Sequence, residues 1–288
     1  VLRRPPLGPV AARAHDMVRE ARVLQAIHPH FPPAPRVVLI CEDQTVIGAP
    51  FFLMERRKGV VVRQGLPPEF AALPDAPDRI SRTLIDGLAR LHAVDAGTAS
   101  IMALGRPEGF LARQVAGWSE RWRRARSGAT EPMEQVIAWL QASQPESRIT
   151  TIVHNDYKLD NVLLDPADPD HLTGVLDWEM ATIGDPLADL GLTLTYWCLP
   201  EARRVAGMDT AEGWWDRDRV VARYAAQTGF DLADLPWYEV LGIFKLAVIV
   251  QQIYARYQKG QTDDARFRTM GRMVEALARA AAGRIAAG

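Results

Sequence analysis

Disulfide chemistry is the first thing this sequence lacks: its 288 residues include two cysteines, Cys41 and Cys198. Two thiols cannot staple a scaffold of this size, which excludes the disulfide-rich secreted class and makes a reducing cytoplasm the expected setting. An excess of one charge is missing too. Lysine and arginine number 34 against 35 aspartates and glutamates, a formal net charge of −1. Nothing in that balance draws the chain to nucleic acid or to an anionic membrane, and neither is expected as a partner. No signal peptide is visible. The most apolar stretch, 241–254, is interrupted by Lys245 and reads as too short to span a bilayer. Asparagine is as scarce as cysteine, with Asn155 and Asn161 alone. What remains is ordinary globular material, 48% hydrophobic and 24% charged, which rules out collagen-like and low-complexity chains. The length allows one large domain or two lobes with a real core.

Periodicity divides the chain unevenly. The opening Val1-Leu2-Arg3-Arg4-Pro5-Pro6 reads as the tail of a strand running into a turn, so the sequence is expected to begin inside a domain. Residues 11–28 read as a helix with apolar Val18, Val23, Leu24 and Ile27, closed by His28-Pro29. Strands at 36–41 and 51–55 follow, joined through Glu42-Asp43-Gln44 and Gly48. Helices are expected at 78–95, where Ile80, Leu84, Leu88 and Leu91 keep the helical period, and at 108–126 and 132–143. A β-rich island covers 151–153, 162–164 and 173–176. Everything after Pro186 reads helical, at 187–198, 211–228, 237–258 and 264–283. A small β-containing front, a connector near 55–60 and a large helical back make a two-lobed α+β design. Residues 1–57 would be the front lobe and hinge, and 58–288 the helical lobe.

The strongest chemical signal is His154-Asn155-Asp156-Tyr157-Lys158-Leu159-Asp160-Asn161, of the form H-x-D-x-x-x-x-N, placed on a loop between two β-branched runs. Downstream, Val175-Leu176-Asp177-Trp178-Glu179 sets a carboxylate at the exit of a short apolar strand. These residue types suit phosphoryl transfer. That reaction asks for a carboxylate to orient a hydroxyl and take its proton, and for hard oxygen ligands to hold Mg²⁺ on the phosphates. Asp156 fits the first task; Asn161 and Asp177 fit the second.

These segments resemble the catalytic and metal-binding motifs of the aminoglycoside phosphotransferase and choline kinase-like family, distant relatives of protein kinases. The likeness is nearest to the kinase-like domains associated with acyl-CoA dehydrogenases. It is carried by the Val-Leu-Arg-Arg-Pro-Pro opening, Arg19-Glu20 with Val23-Leu24, Gly48-Ala49-Pro50-Phe51, Asp177-Trp178-Glu179 and Gly184-Asp185-Pro186-Leu187-Ala188-Asp189-Leu190. The resemblance implies a protein-kinase-like two-lobed fold whose small lobe is truncated at its N-terminus. The family has a strand pair with a phosphate loop before this point, so the natural chain is expected to extend upstream of Val1, or this is a fragment. It further implies Asp156 as catalytic base, Asn161 and Asp177 as Mg²⁺ ligands, and His154 as a brace for the catalytic loop. Asp189 would be a buried carboxylate tying down the loop backbone. Arg3 stands where the family usually has a lysine touching the α- and β-phosphates of ATP, with Glu20 as its partner. The connector Met54-Glu55-Arg56-Arg57 would read the adenine edge through its backbone, which brings in Glu55 and Arg57.

Other readings stay open at this point. His154, Asp156 and Asp177 could bind Zn²⁺ or Fe, although no second histidine or C-x-x-C pattern accompanies them. The same motif could persist in a non-catalytic nucleotide- or acyl-CoA-binding module. A protein kinase fits less well, because Asp177-Trp178-Glu179 replaces Asp-Phe-Gly and no Ala-Pro-Glu follows. The acceptor is expected to be a small-molecule hydroxyl. Six arginines at 106, 113, 121, 123, 124 and 126 face only Glu108 and Glu120 in the same stretch, which disfavours a polycationic acceptor and suits an anionic one such as a hydroxyacyl-CoA. A solvated basic helix face is the plainer account of those arginines.

Overall fold

The structure is a computed structural model that describes residues 1–6, 15–63, 65–127, 131–205 and 213–287. Its strands are β1 (Leu2–Arg3), β2 (Val37–Cys41), β3 (Phe51–Met54), β4 (Thr151–Val153), β5 (Val162–Asp165), β6 (Asp168–Val175) and β7 (Thr182–Gly184). Its helices are α1 (Met17–Ile27), α2 (Ala76–His92), α3 (Ala99–Met102), α4 (Phe110–Ala125), α5 (Glu131–Ala142), α6 (Leu187–Cys198), α7 (Pro200–Val205), α8 (Arg217–Thr228), α9 (Leu235–Gln258) and α10 (Met270–Ala287). The α+β expectation holds, with small sheets and a helical majority. The strand β7 and the short helices α3 and α7 have too few residues for a period to show, and the sequence reading missed them. Residues 11–14 of the first expected helix and 211–212 of a later one lie outside the described residues.

Two compact units emerge. The first comprises Val1–Arg106, Thr151–Ile183 and Gly207–Gly229. Within it β3 is the central strand of an antiparallel sheet ordered β1-β3-β2, and the register sets Arg3 opposite the fully buried Phe52. Helix α1 starts at Asp16, whose carboxylate caps the Arg19 amide at 3.0 Å, and it buries Met17, Glu20, Ala21, Leu24 and Ile27 along one stripe. Helix α2 opens with Pro77 in its first turn and buries Ile80, Leu84, Leu88 and Leu91. It meets α8 through a two-point Arg223–Asp86 ion pair, both contacts at 2.7 Å. The β5–β6 hairpin pairs Val162 with Val175, and β4 pairs with β7.

The second unit comprises Pro107–Thr150, Gly184–Ala206 and Phe230–Gly288. Helix α9 is its axis, contacting α4, α5, α6 and α10. At 24 residues it is much longer than the apolar run seen in the sequence, and by length and composition it could cross a membrane; 78% of its apolar window is nonetheless buried in the protein. Its contact with α6 is backbone to backbone. A Cβ built on Gly191 would lie 2.3 Å from the Tyr238 carbonyl oxygen, and one on Gly242 2.6 Å from that of Gly191. Beside this contact the buried Asp185 accepts from the Leu187 amide (2.9 Å), the Ser147 hydroxyl (2.8 Å) and the Tyr238 phenol (2.7 Å). Burial, then the charge of Asp185, pushes the Tyr238 hydroxyl far up from its ordinary range. Trp118, Trp122, Trp237 and Tyr238 are core residues, whereas Cys41 and Cys198 are both partly exposed.

Gly191→Ala should therefore cost about 1–3 kcal/mol by overpacking. Gly117→Ala, on α4 where a Cβ meets nothing within 4 Å, should instead add up to about 1 kcal/mol. Urea unfolding midpoints of the two variants, moving in opposite directions, check the pair.

Candidate active site

Strand β4 is fully buried and delivers the chain to His154, which is buried as well. The His154 Nδ1 accepts from the Asp156 amide at 3.3 Å. That fixes the proton on Nε2, which donates to the Leu176 carbonyl at 3.0 Å. Both ring nitrogens are thus taken by backbone, so the zinc or iron reading of His154 falls away. No group of three or more His, Cys, Asp or Glu among the described residues forms a metal cage. The imidazole also lies 4.8 Å from the Trp178 ring.

The loop then turns through Asn155, a non-glycine residue at φ +64°, whose side-chain amide donates to the Met180 carbonyl at 3.1 Å. Asp156 follows, with its side chain 23% exposed. Its carboxylate accepts from Lys158 Nζ at 2.8 Å through both oxygens, and from Asn161 Nδ2 at 2.9 Å. The same Asn161 nitrogen donates to the Asp156 carbonyl at 2.9 Å. Its nitrogen so committed, Asn161 keeps Oδ1 as a free-standing hard acceptor.

Strand β6 brings the second segment alongside. The Leu176 amide donates to the Asn161 carbonyl at 2.8 Å, so the residue before Asp177 is stitched to both ends of the His154–Asn161 loop. Asp177 sits at φ +67° and ψ +65°, a conformation costing an ordinary residue about 1–2 kcal/mol and kept only where the surroundings over-determine it. Here they do. The Trp178 indole N–H donates to the Val175 carbonyl at 2.8 Å, and Arg19 donates to the carbonyls of Glu179 (2.8 Å) and Ala181 (2.6 Å). His15 Nδ1 lies 2.8 Å from Glu179 Oε2.

Arg3 joins this segment to helix α1. Its Nη2 contacts both Glu20 oxygens, at 2.9 and 3.0 Å, and Asp177 Oδ1 at 3.4 Å. Glu20 is 2% exposed, and burial pushes its carboxyl up from the ordinary value, with Arg3 opposing. The Asp177 carboxylate, 40% exposed, remains open on its other side. Asn161 Oδ1 and the Asp177 carboxylate are hard oxygens of the kind Mg²⁺ takes while keeping waters and phosphate oxygens as its other ligands, so the residues fit that ion.

Two further candidates, Glu55 and Arg57, lie in the connector after β3. The Glu55 carboxylate accepts from the Arg36 amide and pairs with Arg57, each at 2.7 Å. Arg57 also donates to the carbonyls of Pro32 and Ala34. Both side chains are thus spent on fixing the connector. Asp189 is buried in the first turn of α6, in the second compact unit. Two residues escaped the sequence reading. Lys158 stands inside the motif itself, two positions after Asp156, and could have been picked out there. Arg19 left no such signal, because its partners lie some 160 residues further on.

The family pattern described as the phosphotransferase enzyme family (APH) matches residues 1–237. Over 290 residues the chain is 31% identical to acyl-CoA dehydrogenase family member 10 of Mus musculus, covering 96% of this chain and 26% of that protein. Across that protein and the family member 11 sequences, the chain spans only 26% to 36% of the relatives' length. A crystal structure from Ralstonia eutropha, provisionally described as an aminoglycoside phosphotransferase, is similar with a TM-score of 0.77 at 30% identity, covering 91% of this chain and 83% of that one. At the level of fold alone, the chain is similar to a thermostable mutant of an aminoglycoside phosphotransferase in ternary complex with AMP-PNP and hygromycin B. That likeness has a TM-score of 0.58 at 17% identity and covers 98% and 95% of the two chains.

Removing the guanidinium that faces Glu20 tests the electrostatics. Glu20's raised folded value means that its contribution to stability is present below pH about 4.5 and is lost as pH climbs through that raised value. Arg3→Ala removes the opposing charge and raises it further. The variant should be less stable by about 1–3 kcal/mol at pH 7, with the deficit shrinking toward pH 4. Chemical denaturation at the two pH values reads this; a deficit independent of pH rejects the pairing.

Proposed function

Because the chain belongs to the phosphotransferase enzyme family, we propose that it transfers the γ-phosphoryl group of ATP to a hydroxyl of a small molecule, with Mg²⁺ as cofactor. The observation that carries the reading is the Asp156 carboxylate held by Lys158 and Asn161, on a loop stitched through Leu176 to Asp177. In this reading residues 1–57 are the small lobe and hinge, and 58–288 carry the catalytic loop and metal ligands.

Asp156 takes the proton of the acceptor hydroxyl as that oxygen forms its bond to the γ-phosphorus and the bond to the ADP oxygen breaks. Lys158 holds the carboxylate in place and offers positive charge beside the transferring group. Asn161 and Asp177 would hold Mg²⁺, which when bound neutralises the phosphate charge that repels the incoming oxygen. Arg3 provides a fixed cation toward the phosphates, held by Glu20. For adenine, the Glu55 carbonyl and the Arg56 amide suit the task. The neighbouring Met54 amide is bonded to the Val1 carbonyl and the Glu55 amide to the Arg36 carbonyl, both at 2.9 Å.

For the acceptor we favour an anionic hydroxyl compound such as a hydroxyacyl-CoA. Support comes from the acyl-CoA dehydrogenase relatives and from the basic α4 segment, whose six arginines are all exposed. Part of that charge is already answered, since Arg124 pairs with Glu120 at 2.8 Å and Arg126 with Glu134 at 3.1 Å. Arg121 lies over the Trp118 ring at 4.3 Å.

Two substitutions test the roles. Asp156→Asn should lower phosphorylation of a hydroxyacyl-CoA probe by about 10²–10⁴-fold while ATP binding persists; normal turnover in that variant removes Asp156 from the mechanism. Asp177→Ala should abolish the Mg²⁺-dependent part of the thermal shift given by ATP, which at 100 times Kd amounts to about 2.7 kcal/mol in the wild type. An undiminished Mg²⁺-dependent shift rejects that ligand.

A further inference from the structure

We propose that Arg19 is a positioning residue for the metal-binding aspartate, setting Asp177 by gripping the backbone immediately after it. The inference rests on the phosphotransferase reading above. The chain beyond Asp177 makes a single 3-10 turn, Trp178–Met180, closed by the Ala181 amide on the Trp178 carbonyl at 3.0 Å. Three successive carbonyls leave this turn, and a side chain from elsewhere holds each. Arg19 Nη1 takes Glu179 at 2.8 Å and Nη2 takes Ala181 at 2.6 Å, while Asn155 Nδ2 takes Met180 between them at 3.1 Å. The turn is therefore clamped between helix α1 and the catalytic loop.

Helix α1 grips the aspartate twice, through adjacent residues. Glu20 works through Arg3 on the Asp177 carboxylate, and Arg19 works on the backbone beyond it. Arg19 is itself anchored, since its amide is capped by Asp16 in the first turn of the helix. A planar guanidinium can serve two carbonyls at once in a fixed fork, which a lysine ammonium cannot. Asp177 is held at positive φ, so a turn released from this fork has a ready lower-energy backbone to relax into. The first group to lose its aim is the carboxylate that would carry Mg²⁺.

The simpler account is that Arg19 only staples α1 to the turn. Metal dependence separates the two. Arg19→Gln and Arg19→Lys should fold with wild-type circular dichroism and bind ATP without Mg²⁺ as the wild type does. The Mg²⁺ concentration giving half of the ATP-induced thermal shift should rise about 10–100-fold in Arg19→Gln and by less in Arg19→Lys, the range expected when an outer support of a metal ligand is lost. An unchanged Mg²⁺ half-point overturns the proposal. So does an equal loss of ATP binding with and without Mg²⁺, which marks a structural staple. If Arg19→Gln does not fold, Arg19→Lys is judged by the same criterion. A wild-type chain with no Mg²⁺-dependent shift overturns the underlying phosphotransferase reading, a result distinct from an Arg19 variant that behaves like the wild type.

Discussion

With Nε2–H on the Leu176 carbonyl and Nδ1 on the Asp156 amide, the buried His154 ring joins the 154–161 loop to the strand exit 22 residues later. Both bonds go to main chain, so the ring dictates where two backbones lie and leaves their side chains free to act. The Leu176 amide returns the link to Asn161. Asp156, Asn161 and Asp177 thus hang from one small hydrogen-bonded frame, and such networks are stronger as a set than pairwise additions suggest. The Trp178 and Tyr157 rings pack on the imidazole and keep water from competing for those bonds.

A second layer of control comes from the front of the chain. Arg3, set by the register of β1 on β3, reaches Glu20 on α1 and Asp177 at the strand exit at once. A nearly fully buried carboxylate and a half-exposed one share a cation, and burial of Glu20 makes that cation costly to lose. Function and stability meet in this triad. The polar centre of the second unit works differently: Asp185 accepts from the Ser147 hydroxyl, the Leu187 amide and the Tyr238 phenol, and it fixes the junction of α6, α9 and the segment before β4.

Much of this was legible in the sequence because the motif is local. His154, Asp156 and Asn161 fall within eight residues, and their types name a chemistry before any fold is known. The long helices α2, α4 and α9 were visible through their apolar period. What escaped was whatever depends on contacts distant in sequence. Nothing in residues 17–27 announces that Arg19 meets Glu179 and Ala181, and three-residue strands such as β7 show no alternation to read. The Trp118–Trp122 pair, by contrast, turns into the core, as its spacing within an amphipathic helix suggests.

The left-handed backbone at Asn155 and Asp177 bears on how this sequence can drift over evolutionary time. Glycine takes that conformation freely, and asparagine and aspartate bear its cost more readily than other residues, branched ones least of all. At position 155 the same backbone comes with a side-chain amide that donates to the Met180 carbonyl, which neither glycine nor an aspartate carboxylate can do. At position 177 the backbone favours the same short list, and the proposed Mg²⁺ site adds the demand for a carboxylate. Only aspartate satisfies both. Two turns of similar backbone geometry are thus narrowed by opposite demands, a hydrogen-bond donor at one and a carboxylate at the other, and a swap of the two side chains would spoil both.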